Sequence, residues 1–192
     1  EVGWARHDDV LPDGTVVTQP RKIAYQASDA TLIYSYEGIS APLVPEPFTP
    51  LVAELKAQVE TLCGTSFNSA HLNLYSDGSE HVSWHTDEDV ALYGDAPVIA
   101  SLSFGATRDF VLRRMHGQPY TPEWAPVQPL ELLKYALGDG DVLVMRGATQ
   151  RHYEHTLLKL GRKQEKDLPA GASPARLNIT FRRASRSRAA QA

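Results

Sequence analysis

The sequence predicts one mainly β domain of the α+β class, a β-sandwich or jelly roll decorated with helices. Three observations carry this: short apolar runs separated by Gly- and Pro-rich turns, one well-capped amphipathic helix, and an ordinary globular composition. The 192 residues suffice for one sizeable core, and 42% of them are hydrophobic against 22% charged. No apolar run approaches the roughly 18 residues of a membrane span, so no membrane segment is expected. The first residues lack a signal-peptide pattern, and Cys63 is the only cysteine. An internal disulfide is therefore excluded, and a reducing, intracellular setting is expected. The chain begins at Glu1 rather than Met, which leaves any preceding segment open.

Taken in order, Leu11-Pro12-Asp13-Gly14 is a turn signal between two extended runs and predicts a hairpin. Residues 31–36 look like another strand, followed by a Pro-rich loop from Pro42 to Pro47. A helix follows. Thr49 suits its cap, Pro50 its first turn and Gly64 its C-terminal stop, with Val52, Leu55, Val59 and Leu62 assigned to one buried face. Further strands are expected at 69–75, 81–87, 97–104, 108–113, 141–146, 152–157 and 176–183. Two excursions interrupt them: 114–134 holds four prolines and 159–175 is rich in Lys, Gly and Pro.

The net charge of −4 argues weakly against nucleic acid, but its distribution is uneven. Residues 1–150 carry a net of −11 and residues 151–192 a net of +7. A basic end on an acidic body can follow a phosphate backbone, or be a solvated tail. The last residues, 184–192, read as a basic tail that frays.

The first chemical signal is His85-Thr86-Asp87. On a strand, residues two apart share a face at roughly 6.5 Å, so both side chains can converge on one ion. Two histidines and a carboxylate leave three positions of an octahedral Fe(II) open, enough for a bidentate co-substrate and O2. Alone, such a pair more often simply faces solvent. The third ligand must come from elsewhere, and spacing does not choose between His152 and His155.

In Arg176-Leu177-Asn178-Ile179-Thr180-Phe181-Arg182 the alternation is clean. Leu177, Ile179 and Phe181 face one way, and Arg176, Asn178, Thr180 and Arg182 the other. Two arginines on an inward face need anions, because an unpaired buried guanidinium is costly. Their Cα atoms are about 20 Å apart on an ideal strand, and inward-leaning side chains leave room for a short dicarboxylate. Asn73 and Tyr75 share a polar face of His71-Leu72-Asn73-Leu74-Tyr75 and can serve the same ligand.

Together these segments resemble the AlkB family of Fe(II)/2-oxoglutarate dioxygenases, in its eukaryotic-type DNA and RNA repair branch. The matching runs are Asn73–Gly78, His85–Asp89, Ala100–Arg108, Gly147–Gln150, His155 and Arg176–Arg182, in order over about residues 20–183. The resemblance implies a single domain over 1–183 with a double-stranded β-helix (jelly-roll) core, flanking helices and an N-terminal hairpin lid within about residues 1–25. It implies His85, Asp87 and His155 as iron ligands, with His152 off the metal. Asn73, Tyr75, Arg176, Asn178 and Arg182 would contact 2-oxoglutarate, Arg182 at the carboxylate near iron and Arg176 at the distal one.

For the substrate, the resemblance places Tyr36 stacked on a flipped base opposite His85, and Asp89 as an acidic contact to that base. It places Arg21 and Arg108 along the substrate groove. Trp4 would stack or wedge, or merely pack. The implied reaction consumes 2-oxoglutarate and O2, releases succinate and CO2, and removes an N-methyl group as formaldehyde. The implied substrates are 1-methyladenine and 3-methylcytosine in DNA or RNA, met as flipped or single-stranded bases by a monomeric enzyme. N6-methyladenine, or a protein or small molecule, is the alternative target, and a metal-free binding module the non-enzyme alternative.

Overall fold

The computed structural model describes residues 1–36, 38–87, 90–115, 132–161, 168 and 172–185. A short hairpin comes first, β1 (Asp8–Val10) paired antiparallel with β2 (Val16–Thr18). Gly14 turns it at φ 83°, a left-handed conformation that a side chain would strain. β3 (Lys22–Ala27) leaves the hairpin and enters the main body. It is buried along almost its whole length and so lacks the alternation that reveals a strand in sequence. The expected strand at 31–36 is instead a loop joined to Leu43 by a single bridge at Tyr34. Its apolar residues are accounted for by packing, since Leu32 and Tyr34 join a cluster with Ile23, Tyr25 and Tyr93.

Helix α1 (Pro50–Cys63) is capped as its sequence predicts. The Thr49 hydroxyl accepts from the Val52 N–H at 3.5 Å, and Gly64 stops the helix in a left-handed conformation. Its buried face is Val52, Val59 and Cys63, with Leu55 half-buried beside them. Leu62 is 66% exposed, which corrects its assignment to that face. At 100° per residue, Leu62 falls about 60° off Val59, while Cys63 falls about 40° off on the core side.

The remaining elements build two sheets. β4 (Ser69–Tyr75), β6 (Ile99–Gly105), β9 (Val142–Met145) and β11 (Arg176–Arg182) join β3 in the order β3-β4-β11-β6-β9. β5 (Val82–His85), β7 (Arg108–Arg114), β8 (Leu132–Leu137) and β10 (Tyr153–Leu157) form the second, in the order β5-β10-β7-β8. Neighbours run antiparallel throughout, consistent with the jelly-roll expectation. Two one-turn helices, α2 (Val90–Tyr93) and α3 (Thr149–His152), complete the set among the described residues. β8 begins inside the expected 114–134 excursion; its exposed apolar residues gave no clean period.

Period two decides what each face of the large sheet meets. Ala70, Leu72, Ala100, Leu102, Ile179 and Phe181 pack against α1. The intervening His71, Asn73, Tyr75, Ser101, Arg176, Asn178, Thr180 and Arg182 line a cavity on the opposite face. A third cluster, which includes Tyr75, Phe110, Leu112 and Leu157, joins the two sheets beside that cavity. Trp4 packs half-buried against the core under α1, so it is a packing residue. Among the described residues no helix is long and apolar enough to cross a membrane.

Candidate metal centre and co-substrate cavity

The antiparallel pairing of β5 and β10 sets His85 directly opposite His155, with ring centroids 4.2 Å apart. Asp87 follows two residues after His85, just past the end of β5, and the three side chains close on one point. One ligand atom from each lies within 4.8 Å of the others. His85 Nε2 is 4.0 Å from Asp87 Oδ1, and His155 Nε2 is 3.8 Å from Asp87 Oδ2. His152 sits in α3 and is absent from this cluster.

Each ligand is oriented by a neighbour. His85 Nδ1 lies 2.8 Å from the Ser83 carbonyl, which leaves Nε2 toward the cavity. The Asp87 backbone N–H donates to Gln150 Oε1 at 2.8 Å, and Gln150 Nε2 contacts the Met145 sulfur at 3.2 Å. Gln150 is 2% exposed. Arg182 donates to Asp87 Oδ1 at 2.6 Å.

The electrostatics suit a cation bound by neutral imidazoles. Burial raises the Asp87 carboxyl, but Arg182, His155 and His85 outweigh it and hold it well below the usual carboxylate range. Burial, then the neighbouring His85, lowers His155 to about 3. His85 is lowered as well, mainly by desolvation from the cavity walls, although 37% of its side chain stays open. The centre thus offers proton-free nitrogens and an ionised carboxylate at neutral pH, which is what a divalent metal requires.

From this centre a cavity of about 910 Å³ extends between the sheets to the hairpin. Arg176 and Arg182 lie in it 2% and 7% exposed. Arg176 Nη2 donates to Ser103 Oγ at 2.8 Å, and its Nε has no partner among the described residues. Arg182 likewise keeps Nε and Nη1 without partners. Buried unpaired guanidinium nitrogens are costly, and an anion seated between the two arginines would satisfy them. The residues present therefore fit both a divalent metal and a dicarboxylate.

The other expected residues divide. Asn73 lines the cavity and accepts from Arg21 Nε at 2.9 Å. Tyr75 lines it, with the Arg108 and Arg176 guanidiniums 5.9 and 5.7 Å from its ring. Asn178 donates to Ser101 Oγ and the Leu102 carbonyl and accepts from Thr180, so most of its amide is spent bracing neighbouring strands. Tyr36 and Arg21 line the hairpin end of the cavity.

Arg108 corrects the expectation that it lines a substrate groove. It is 1% exposed, outside the cavity lining, and donates to the carbonyls of Asp77, Glu80 and Leu158. Its alternating position on β7 points it under the 76–81 turn. Asp89 lies outside the described residues, as do residues 186–192 and most of the 114–134 and 159–175 segments.

Several residues of the site went unassigned in sequence. Gln150 and His71 belonged to quoted motifs without a role, although alternation put His71 on the face of Asn73 and Tyr75; Asp9, Gln19 and Tyr34 had no signal, because only the folded chain brings them to the cavity.

The family model described as the 2OG-Fe(II) oxygenase superfamily matches residues 1–182. Alpha-ketoglutarate-dependent dioxygenase alkB homolog 3 of Rattus norvegicus is 35% identical over 183 residues, 95% of this chain and 56% of that protein. The Homo sapiens counterpart is also 35% identical, and the chain spans 57% of it. DNA oxidative demethylase ALKBH2 of Arabidopsis thaliana is 34% identical over 94% of this chain and 58% of that protein. The chain thus spans little more than half the length of these relatives. The solved structure of OsALKBH1 shares the fold at a TM-score of 0.56 and 16% identity, covering 95% of this chain and 85% of its own. Membership of this superfamily implies a dioxygenase that uses Fe(II), 2-oxoglutarate and O2. The chain belongs to the 2OG-Fe(II) oxygenase superfamily, and within it resembles the AlkB homologues over nearly its whole length.

Proposed function

We propose that this chain oxidatively demethylates N-alkylated nucleic-acid bases, with 1-methyladenine and 3-methylcytosine in DNA or RNA as substrates. The single observation that carries the reading is the cavity itself. One end holds the His85, Asp87 and His155 centre beside two buried arginines that keep guanidinium nitrogens without partners among the described residues, and the other opens under Tyr36 and the hairpin. Its volume lies near the top of the roughly 300–1,000 Å³ range of small-molecule sites, with room for a dicarboxylate and a flipped base together. Relatives named DNA oxidative demethylase support the choice of nucleic acid.

Bound Fe(II) with 2-oxoglutarate supplies the oxidation, using O2 to hydroxylate an N-methyl group that then leaves as formaldehyde. The protein's share is placement. His85, Asp87 and His155 hold the metal, and Gln150 fixes the Asp87 backbone. Arg182 faces the co-substrate carboxylate nearer the metal and Arg176 the distal one, with Asn73, Tyr75 and Asn178 shaping the space between. Tyr36 stacks on the base across from His85, and Arg21 closes the wall. The catalytic domain spans residues 1–183.

The test is direct. Purified protein with Fe(II), 2-oxoglutarate and O2 is given oligonucleotides carrying one 1-methyladenine, 3-methylcytosine or N6-methyladenine, as DNA and RNA, single- and double-stranded. Mass spectrometry reads methyl loss, which His85→Ala or Asp87→Ala should abolish. Succinate release without methyl loss from any oligonucleotide would redirect the search to protein or metabolite substrates. Absence of both products would sink the enzymatic reading.

A further inference from the structure

The N-terminal hairpin has two strands of three residues, too little to hold a fixed shape alone in water. It is nevertheless tied at several points to the segment that carries Tyr36. The Val10 N–H donates to the Gly38 carbonyl at 2.6 Å, and the Ser40 N–H to the Asp8 carbonyl at 3.0 Å. Asp9 forms a β-bridge with Ile39. The side chains add a closed network. The Tyr36 hydroxyl donates to Asp9 Oδ1 at 2.8 Å, and Gln19 Nε2 donates to the same oxygen at 2.8 Å and to the Tyr36 oxygen.

Asp9, Gln19 and Tyr36 all line the cavity, and Gln19 is 3% exposed. Among the described residues no ion pair engages Asp9. Its carboxylate is committed to the phenol and the amide. A hydrogen bond from a hydroxyl to a carboxylate is among the stronger kinds and is directional. An aromatic ring offered to a ligand face needs just such a restraint, because its own torsion is soft.

We propose that Asp9 is a positioning residue for the cavity wall, acting through the Tyr36 hydroxyl with Gln19 as the third member. The hairpin thereby sets the angle of the ring that receives the substrate base. The proposal rests on the reading of Tyr36 given under Proposed function. Asp9 stands outside the His85, Asp87 and His155 cluster, so its loss should affect only the nucleic-acid side of the reaction.

A double-mutant cycle tests this. The variants are Asp9→Ala, Tyr36→Phe and the pair, assayed on a single-stranded oligonucleotide with one 1-methyladenine. Each single change should raise the KM for oligonucleotide about tenfold, the low end for a charge-assisted hydrogen bond. The KM for 2-oxoglutarate should stay within twofold, and the double variant should be no worse than either single one. Asp9→Asn, whose amide oxygen still accepts from the phenol, should recover most of the loss. Additive effects, or equal rises in both KM values, would overturn the proposal.

Hydrogen exchange gives a readout that needs no substrate. Asp9→Ala and Tyr36→Phe should both speed exchange at the Val10 and Ser40 amides. Unchanged exchange in both variants overturns the proposal. If the wild type turns over no oligonucleotide, the demethylase reading fails, and accelerated exchange alone upholds the link between Asp9 and Tyr36.

Discussion

Arg176→Met should make co-substrate binding worse without making the empty protein less stable. Arg176 is 2% exposed, donates one hydrogen bond to Ser103, leaves Nε without a partner and has no ion pair among the described residues. Burial lowers its pKa, the mark of a charge held out of water without an anion. Replacing such a group with an apolar side chain of similar length removes the desolvation cost, while losing the bond to Ser103 costs about 1 kcal/mol. The melting temperature of the empty protein should therefore hold within a few degrees, or rise. Binding changes in the other direction. A hydrogen bond to a charged group contributes about 1.5–3 kcal/mol, so the dissociation constant for 2-oxoglutarate should rise roughly tenfold to 150-fold.

Thermal denaturation with Mn(II) as a redox-silent stand-in separates the two effects. The wild type should gain stability as RT ln(1 + [L]/Kd) on titration with 2-oxoglutarate, and the variant should need correspondingly more ligand. A variant that melts many degrees lower without ligand, yet keeps the wild-type KM for 2-oxoglutarate, would refute the reasoning. Arg176 would then be a structural residue.

Gln150→Leu should weaken Mn(II) binding about 10- to 100-fold by freeing the Asp87 backbone; calorimetry showing wild-type affinity would remove Gln150 from the site. Arg108→Met removes the hydrogen bonds to three backbone carbonyls, of which the one to Glu80 is buried, and should destabilise the fold by about 1–3 kcal/mol with little change in oligonucleotide KM. The converse result would return Arg108 to the substrate groove. The metal-free protein should lose stability between pH 7 and pH 5. His155 is lowered to about 3, and His71 and His85 are lowered too, so below about 6.5 the unfolded chain takes up protons that the native one refuses. His155→Gln should flatten part of that slope, whereas a melting temperature unchanged from pH 7 to pH 5 in the wild type would contradict the burial of these imidazoles.

How much was legible follows from where information is local. Strands buried on one face, such as 69–75 and 176–182, announced themselves through period two, and α1 through its caps. β3, buried along nearly its whole length, and β8, exposed along most of its own, have no such contrast and were missed. The run at 31–36 has strand composition but spends its apolar side chains on a core cluster.

By itself, the sequence determined which residue types are available and which face each strand presents. His85 and Asp87 two apart, and Arg176 through Arg182 in alternation, put groups suited to a metal and to an anion on common faces whatever the topology. Spacing left His152 and His155 open and the resemblance implied His155; the β5–β10 register, which only the tertiary structure sets, stands His155 opposite His85. Tertiary structure also decided that Arg108 lies buried beneath a turn, that Gln150 reaches Asp87 across 63 residues, and that Asp9 meets Tyr36. The physical reason is that side-chain direction is set by a local period, whereas a partner is set by which distant strands and loops pack together.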